Sequence, residues 1–286
     1  MLKIIDGKEV SRLTRLEIAK EVSELKEKSG IVPGLAVILV GENPASCVYV
    51  RNKHKACLEV GINSYEIKYP EDVKEEELIA KIQELNYDQN VNGILVQLPL
   101  PKHISEEKVI NSINPDKDVD AFHPFNVGKI MLGEYEYLPC TPAGIMKLLE
   151  HYKIELSGKE CVVLGRSNIV GKPMAHLLLQ KNGTVTVCHS KTANLAEVTK
   201  RADVLVVAIG KAKFLTADMV KPGAVVIDVG INRLDDGKLC GDVDFDDVAN
   251  VASYITPVPG GVGPMTMAML MKNVLKSSKN KNHTCH

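Results

Sequence analysis

The chain has 286 residues, and its 35 lysines and arginines are balanced by 36 aspartates and glutamates. That balance leaves no bulk field to draw it to nucleic acid or to an anionic membrane surface. No apolar run approaches the roughly 20 residues that span a bilayer, and a chain with no tryptophan and four phenylalanines lacks an aromatic platform for single-stranded nucleic acid.

The seven cysteines are odd in number and scattered, with no C-x-x-C pair. This fits reduced thiols rather than a disulfide framework. The segment from Met1 to Lys8 has no signal-peptide core, so the expected location is the cytoplasm. The tail His283-Thr284-Cys285-His286 holds three metal-ligand types behind a Lys/Ser/Asn-rich stretch, and no metal site is expected there or elsewhere.

Residues 8–29 carry Lys, Glu, Leu and Ile at helical spacing and end near Gly30. Leu35 to Val40 is a buried strand. Asn43 followed by Pro44 starts a helix that runs to about Glu59, with Gly61 just past its end. On this helix Arg51, Lys55 and Glu59 form a polar stripe, while Tyr49, Lys53, Ala56 and Val60 share another face. A lysine among small and apolar groups needs a partner or a task, although a snorkelling side chain gives the same pattern. Ser64 to Tyr69 alternates like a strand, and residues 74–86 are an amphipathic helix. The run from Val91 to Pro101 reads as a buried strand that carries one amide, Gln97, just before a proline-broken end. Ligands of open α/β sheets sit at such carboxyl ends.

The loop from Pro115 to Pro124 carries Asp116, Asp118 and Asp120. The spacing is not that of a calcium loop, and one of these carboxylates is instead suited to paired hydrogen bonds with an amidine-like edge. Pro139-Cys140-Thr141-Pro142 marks the domain junction.

From Lys159 to Lys191 the order strand, glycine turn, helix, strand makes a βαβ unit that can hold a phosphate at the helix N-terminus. In Gly165-Arg166-Ser167-Asn168-Ile169-Val170-Gly171, Ser167 stands where a second glycine is usual and Gly171 comes one residue late. An NAD site usually has a carboxylate at the end of the second strand. Here that position reads His189-Ser190-Lys191. Hydroxyl and cationic groups, with Arg166 nearby, suit a 2′-phosphate, so NADP is preferred to NAD. A basic loop facing solvent would read the same way. Two further buried strands end in glycine, at Gly210 and Gly230, and Asp242 to Asp244 is expected in a loop on the same rim. The stretch Thr256-Pro257-Val258-Pro259-Gly260-Gly261-Val262-Gly263-Pro264 is a shaped loop, with a helix opening at Pro264-Met265-Thr266.

Taken in order, these stretches resemble the bifunctional methylenetetrahydrofolate dehydrogenase/cyclohydrolase family. The segments that carry the resemblance are Tyr49 to Lys53, Gly93 to Pro101, Asp116 to Asp120, Pro139 to Pro142, Gly165 to Pro173, Cys188 to Thr192, Asp228 to Asn232 and Thr256 to Thr266. Ala121 departs from the glycine that many members carry there.

The resemblance implies two α/β domains, the second a Rossmann-like dinucleotide-binding domain with a mainly parallel sheet. The first would take residues 1–140 with a C-terminal helix at 265–286, and the second residues 141–264. It implies NADP-dependent oxidation of 5,10-methylenetetrahydrofolate to the methenyl form and hydrolysis of that cation to 10-formyltetrahydrofolate, in one-carbon metabolism and purine precursor supply. Lys53 is then the catalytic lysine, Tyr49 packs on the folate rings, Gln97 tunes the lysine and Asp120 grips the pterin edge. Val96 and Leu98, with Pro259, Gly260, Gly263 and Thr266, line the folate side. Gly165, Arg166, Ser167, Gly171, Ser190 and Ile231 hold the cofactor. The resemblance also implies a homodimer. Burial beside Tyr49 and Ala56 would push the Lys53 amine toward its neutral form, as a proton shuttle requires. The rivals are a monofunctional NAD-linked dehydrogenase of the same fold, a non-catalytic nucleotide sensor and, against the charge balance, a nucleic-acid module.

Overall fold

The computed structural model describes residues 2–280; the His/Cys tail at 283–286 lies outside them. The chain divides into two compact units, residues 1–11 with 139–266 and residues 12–138 with 267 onward. It opens with a two-residue strand β1 (Lys3–Ile4) and helix α1 (Gly7–Ser29).

The unit built on residues 12–138 holds three parallel strands, β2 (Gly34–Val40), β3 (Asn63–Tyr69) and β4 (Gly93–Val96), in the order β3-β2-β4. The central β2, Gly-Leu-Ala-Val-Ile-Leu-Val, is buried along its whole length, as a parallel strand covered on both faces should be. The edge strand β3 alternates exposed Glu66 and Lys68 with half-buried Ile67 and Tyr69. Helices α2 (Pro44–Val60), α3 (Glu75–Tyr87), α4 (Glu106–Ser112) and α5 (Pro124–Leu132) follow or join the strands. The start of α2 forms as its sequence requires. The Asn43 side chain accepts the N–H groups of Ala45 and Ser46, Pro44 needs no donor, and Gly61 ends the helix in the left-handed region at φ 80°. Ile38, Ile82, Ile94 and Val109 pack in one core. The strand at 93–96 is shorter than the run from 91 to 101 suggested, so Gln97 sits just past its end.

The other unit runs α6 (Cys140–His151), β5 (Glu160–Leu164), α7 (Gly171–Gln180), β6 (Thr184–Cys188), α8 (Leu195–Thr199), β7 (Val204–Val207) and β8 (Val225–Asp228). A small antiparallel pair, β9 (Asn232–Arg233) and β10 (Leu239–Cys240), precedes α9 (Phe245–Val248), β11 (Tyr254–Ile255) and α10 (Val262–Asn280). The main sheet is wholly parallel in the order β1-β11-β8-β7-β5-β6. Its topological switch point lies between β5 and β7, where ligands of doubly wound sheets bind.

Two expected boundaries differ. Residues 1–11 fall with this sheet and not with the 12–138 unit, because β1 pairs with β11, Lys3 opposite Tyr254 and Ile4 opposite Ile255. A two-residue strand has no readable period, and its partner is about 250 residues away. The last helix begins at Val262, inside the glycine loop, and is described to Asn280.

The later part of α10 closes the 12–138 unit with polar side chains. The Asn273 amide donates to the carbonyls of Val119 and Leu138, at 2.8 and 2.9 Å. The buried Ser277 hydroxyl lies 2.6 Å from Asn92 O and 2.9 Å from Asp116 O. These carbonyls lie outside the strands of the sheet, where side chains take the place of ladder donors.

Candidate active site

Lys53 points along α2 toward the end of β4, and its ammonium donates to Gln97 Oε1 at 2.9 Å. Gln97 is held on two sides. Its N–H continues the sheet by donating to Ile38 O, and its Nε2 donates to Leu98 O, both at 2.8 Å. The amide nitrogen is thereby committed to the backbone, which leaves the oxygen for the lysine. Tyr49, one turn before Lys53, is exposed. Val96 is buried at the last position of β4, and Leu98 precedes a cis bond to Pro99.

The aspartate loop divides its charges between inside and outside. Lys117 is only 3% exposed, and its ammonium donates to Leu85 O and Asp88 O, closing the C-terminal end of α3. Asp118 is also buried, and its Oδ2 accepts the His123 N–H at 2.8 Å and the Asn126 amide at 2.9 Å. Burial pushes its carboxyl up, against the pull of Asn126 and of the His123 and Phe122 N–H groups. A parallel bridge from Ile94 to Asp118 sets this loop beside β4. Asp118 therefore shapes the loop, and Asp120 is the partly exposed carboxylate two residues on. Between them and the next turn, Ala121 is fully buried in the left-handed region at φ 58°.

In the other unit, the glycine turn is built by close approach. A methyl group on Gly165, at φ 129°, would stand 2.2 Å from Ala208 O, and one on Gly171 would stand 2.3 Å from Gly165 O. Ser167 does not disrupt the turn; its Oγ accepts the N–H groups of Val170 and Gly171, at 3.2 and 3.4 Å. Arg166 and Ser190 line one cavity of about 260 Å³ with Gly165, His189, Leu195 and Ile209. It lies at the switch point, and none of its lining residues is acidic. The crowded glycine turn, the flat apolar walls and the cation fit a dinucleotide carrying a 2′-phosphate.

Ile231, Pro259, Gly260 and Gly263 line a second, mostly apolar cavity of about 160 Å³, together with Lys8 and Val229. Thr266 Oγ1 lies 3.1 Å from Thr141 Oγ1, so two of the punctuated stretches meet at these hydroxyls.

Two buried aspartates hold the loops around both cavities. Asp242 accepts the N–H groups of Ile209, Gly210 and Lys211 and the Asn232 amide, all within 2.9 Å. Asp228 accepts the N–H groups of Gly230, Asp242 and Val243, at 2.9 to 3.0 Å. Burial raises the Asp228 carboxyl to about 6 despite these donors, and the neighbouring Asp242 adds to the rise. Asp242 stands in a loop, as its sequence suggested, and its side chain is completely buried. Sequence reasoning missed Leu195, Lys211 and Phe214, which follow recognised elements but carry no motif of their own.

Comparison with known proteins covers both units. The tetrahydrofolate dehydrogenase/cyclohydrolase catalytic domain matches residues 5–120, and the NAD(P)-binding domain of the same family matches residues 139–282. The bifunctional protein FolD of Acetivibrio thermocellus is 63% identical over 277 residues, 97% of each chain. The crystal structure of the bifunctional FolD methylenetetrahydrofolate dehydrogenase/cyclohydrolase from Campylobacter jejuni is 53% identical, covers 98% of this chain and 100% of its own, and has a TM-score of 0.96. The Trypanosoma brucei dehydrogenase-cyclohydrolase, solved with NADP cofactor and an inhibitor, is 38% identical over 99% of both chains with a TM-score of 0.95.

Proposed function

The chain belongs to the tetrahydrofolate dehydrogenase/cyclohydrolase family, and we infer from this that it oxidises 5,10-methylenetetrahydrofolate with NADP and hydrolyses the methenyl product to 10-formyltetrahydrofolate. The observation that carries the reading to particular atoms is the hydrogen bond from Lys53 to Gln97 at the carboxyl end of β4.

Bound NADP supplies the acceptor for the hydride. The cation left on the one-carbon bridge is stabilised by its two nitrogens, so this step asks the chain for orientation and not for a strong base. Tyr49 offers a flat face to the folate rings. Asp120 takes the amino and ring N–H of the pterin as a pair of hydrogen bonds. Family membership supports folate contacts at Val96 and Leu98 and, separately, at Pro259, Gly260, Gly263 and Thr266. Gly165, Arg166, Ser167, Gly171 and Ser190 hold the phosphates and ribose of the cofactor, and Ile231 packs on its ring.

Hydrolysis needs a proton moved. The Lys53 amine, in its neutral form, takes a proton from the water that attacks the methenyl carbon and returns it to the ring nitrogen as that carbon–nitrogen bond breaks, while the remaining hydroxyl proton leaves to solvent as the formyl C=O forms. Gln97 keeps the amine in place without a charge that would hold it protonated.

The monofunctional NAD-linked alternative is weaker. The relatives are named bifunctional, and the cavity of Arg166 and Ser190 lacks the carboxylate that would grip an unphosphorylated ribose. We read the protein as a cytoplasmic homodimer that feeds formyl groups to purine synthesis. Among the described residues no helix is long and apolar enough to cross a membrane.

The test supplies purified protein with methylenetetrahydrofolate and either NADP or NAD, and follows reduced cofactor and methenyl absorbance separately. Reduction of NADP with no loss of added methenyl substrate would leave only the dehydrogenase half of the reading. Sedimentation velocity tests the dimer.

A further inference from the structure

We propose that Lys211 is a second cation for the cofactor's 2′-phosphate, acting opposite Arg166 and Ser190; the inference rests on the NADP reading above. The cavity that holds Arg166, His189 and Ser190 is also lined by Lys211 and Phe214. His189 and Ser190 follow β6, the position from which a Rossmann unit reads the adenosine ribose. Lys211 and Phe214 enter the same cavity from the loop after β7. An anion on that ribose would thus meet cationic groups from two separate loops, with no carboxylate in the lining to compete.

The loop that carries Lys211 is fixed before any ligand arrives. The Lys211 N–H donates to Asp242 Oδ1 at 2.8 Å, beside the bonds from Ile209 and Gly210 to the other oxygen. Two residues on, the Lys213 N–H donates to Gly241 O at 3.0 Å, and Leu215 is bonded in both directions to the segment 242–244. Leu215 is fully buried and anchors the turn. The Lys211 ammonium lies 5.5 Å from the centre of the Phe214 ring, which narrows the space a long, exposed side chain would otherwise sample. A cation restrained in this way loses less freedom on meeting a phosphate.

The experiment measures binding of cofactor fragments by calorimetry at fixed ionic strength. Wild type, Lys211→Gln and Lys211→Arg are each titrated with 2′,5′-ADP and with 5′-AMP, which lacks the 2′-phosphate. Lys211→Gln is expected to weaken 2′,5′-ADP by about 10-fold and leave 5′-AMP within about 2-fold, as loss of one charge-assisted contact would. Lys211→Arg should stay near wild type. Phe214→Ala, which frees the ammonium, should weaken 2′,5′-ADP by about 3-fold. Equal loss of both fragments in Lys211→Gln would mean that the side chain only covers the adenine, and no loss of either would mean that it stands clear of the ligand; both outcomes overturn the proposal. A wild-type protein that binds both fragments equally would instead overturn the NADP reading itself.

Discussion

Gln97 receives the Lys53 ammonium with an oxygen whose direction is set by Gln97's own nitrogen, tied 2.8 Å away to Leu98 O. The pair is neutral on one side, so the lysine has a hydrogen-bond acceptor without an ion-pair partner in Gln97.

Replacing that amide by a carboxylate tests the arrangement. In Gln97→Glu the new charge holds Lys53 protonated, so the base form appears only at higher pH. Methenyl hydrolysis should fall at neutral pH and its optimum should move to alkaline pH. Lys53→Met should remove hydrolysis by about 100-fold or more. A pH–rate profile of Gln97→Glu superimposable on wild type would remove the amide from the mechanism.

Asp118 is expected to control the substrate through Asp120. Asp118→Ala leaves the half-buried His123 N–H without its acceptor and the Asn126 amide with Pro115 O alone, at a cost of roughly 1–3 kcal/mol for each lost bond. The KM for the folate should rise more than the KM for NADP. Denaturant unfolding together with the two KM values reads this directly.

Ala121 sits where a Cβ is strained, at φ 58°. Ala121→Gly removes about 1 kcal/mol of strain, and loses a buried methyl group and some unfolded-state restriction of similar size. Its stability should stay within about 1 kcal/mol of wild type. Ala121→Val adds β-branching in the same backbone region and should destabilise by about 2 kcal/mol or more. Thermal unfolding of the two variants should therefore separate clearly.

The buried Asp228 makes stability depend on pH in a known direction. Its carboxyl titrates near 6 in the folded chain against an ordinary value of 3.8. Between those values the folded state keeps a proton that the unfolded state has lost. The group's stabilising contribution is complete below 3.8 and is lost as pH rises through 6. Over the whole window this is roughly 3 kcal/mol, with roughly 1 kcal/mol of it between pH 5 and 7. Asp228→Asn should flatten that part of the profile in urea titrations and, by setting an amide N–H against the Val243 N–H, lower stability throughout.

The thiols should differ in reactivity. Burial pushes Cys57 up to about 12 and Cys161 up to about 11, so neither supplies thiolate at neutral pH. Cys47 and Cys240 are half-buried. Iodoacetamide on the native protein, read by peptide mass spectrometry, should mark Cys47 and Cys240 and spare Cys57 and Cys161.

Local chemistry was legible wherever one segment contains its own explanation. The Asn43-Pro44 start of α2 and its Gly61 stop, the buried β2 and the glycine turn after β5 all follow from adjacent residues. Helical spacing set Lys53 on one face with Ala56 and Val60, where it is half-buried, but its partner was not visible, because Gln97 is 44 residues away. In Asp116 to Asp120 nothing local distinguishes the internal carboxylate from the outward one. Burial by distant elements makes that choice, as it does for Asp242. Lys211 and Phe214 were invisible for the same reason: a cavity is made by several loops, and each supplies only one wall.

The pairing of β1 with β11 bears on how the protein is made. The strand that finishes one sheet is made about 250 residues before its partners at 254 and 255, and the loops near Asn92 and Val119 wait for Ser277 and Asn273. Each unit is therefore completed only by a segment far along the chain from its first residues. A gene cut near residue 140 would give two fragments, each lacking a piece that the other carries.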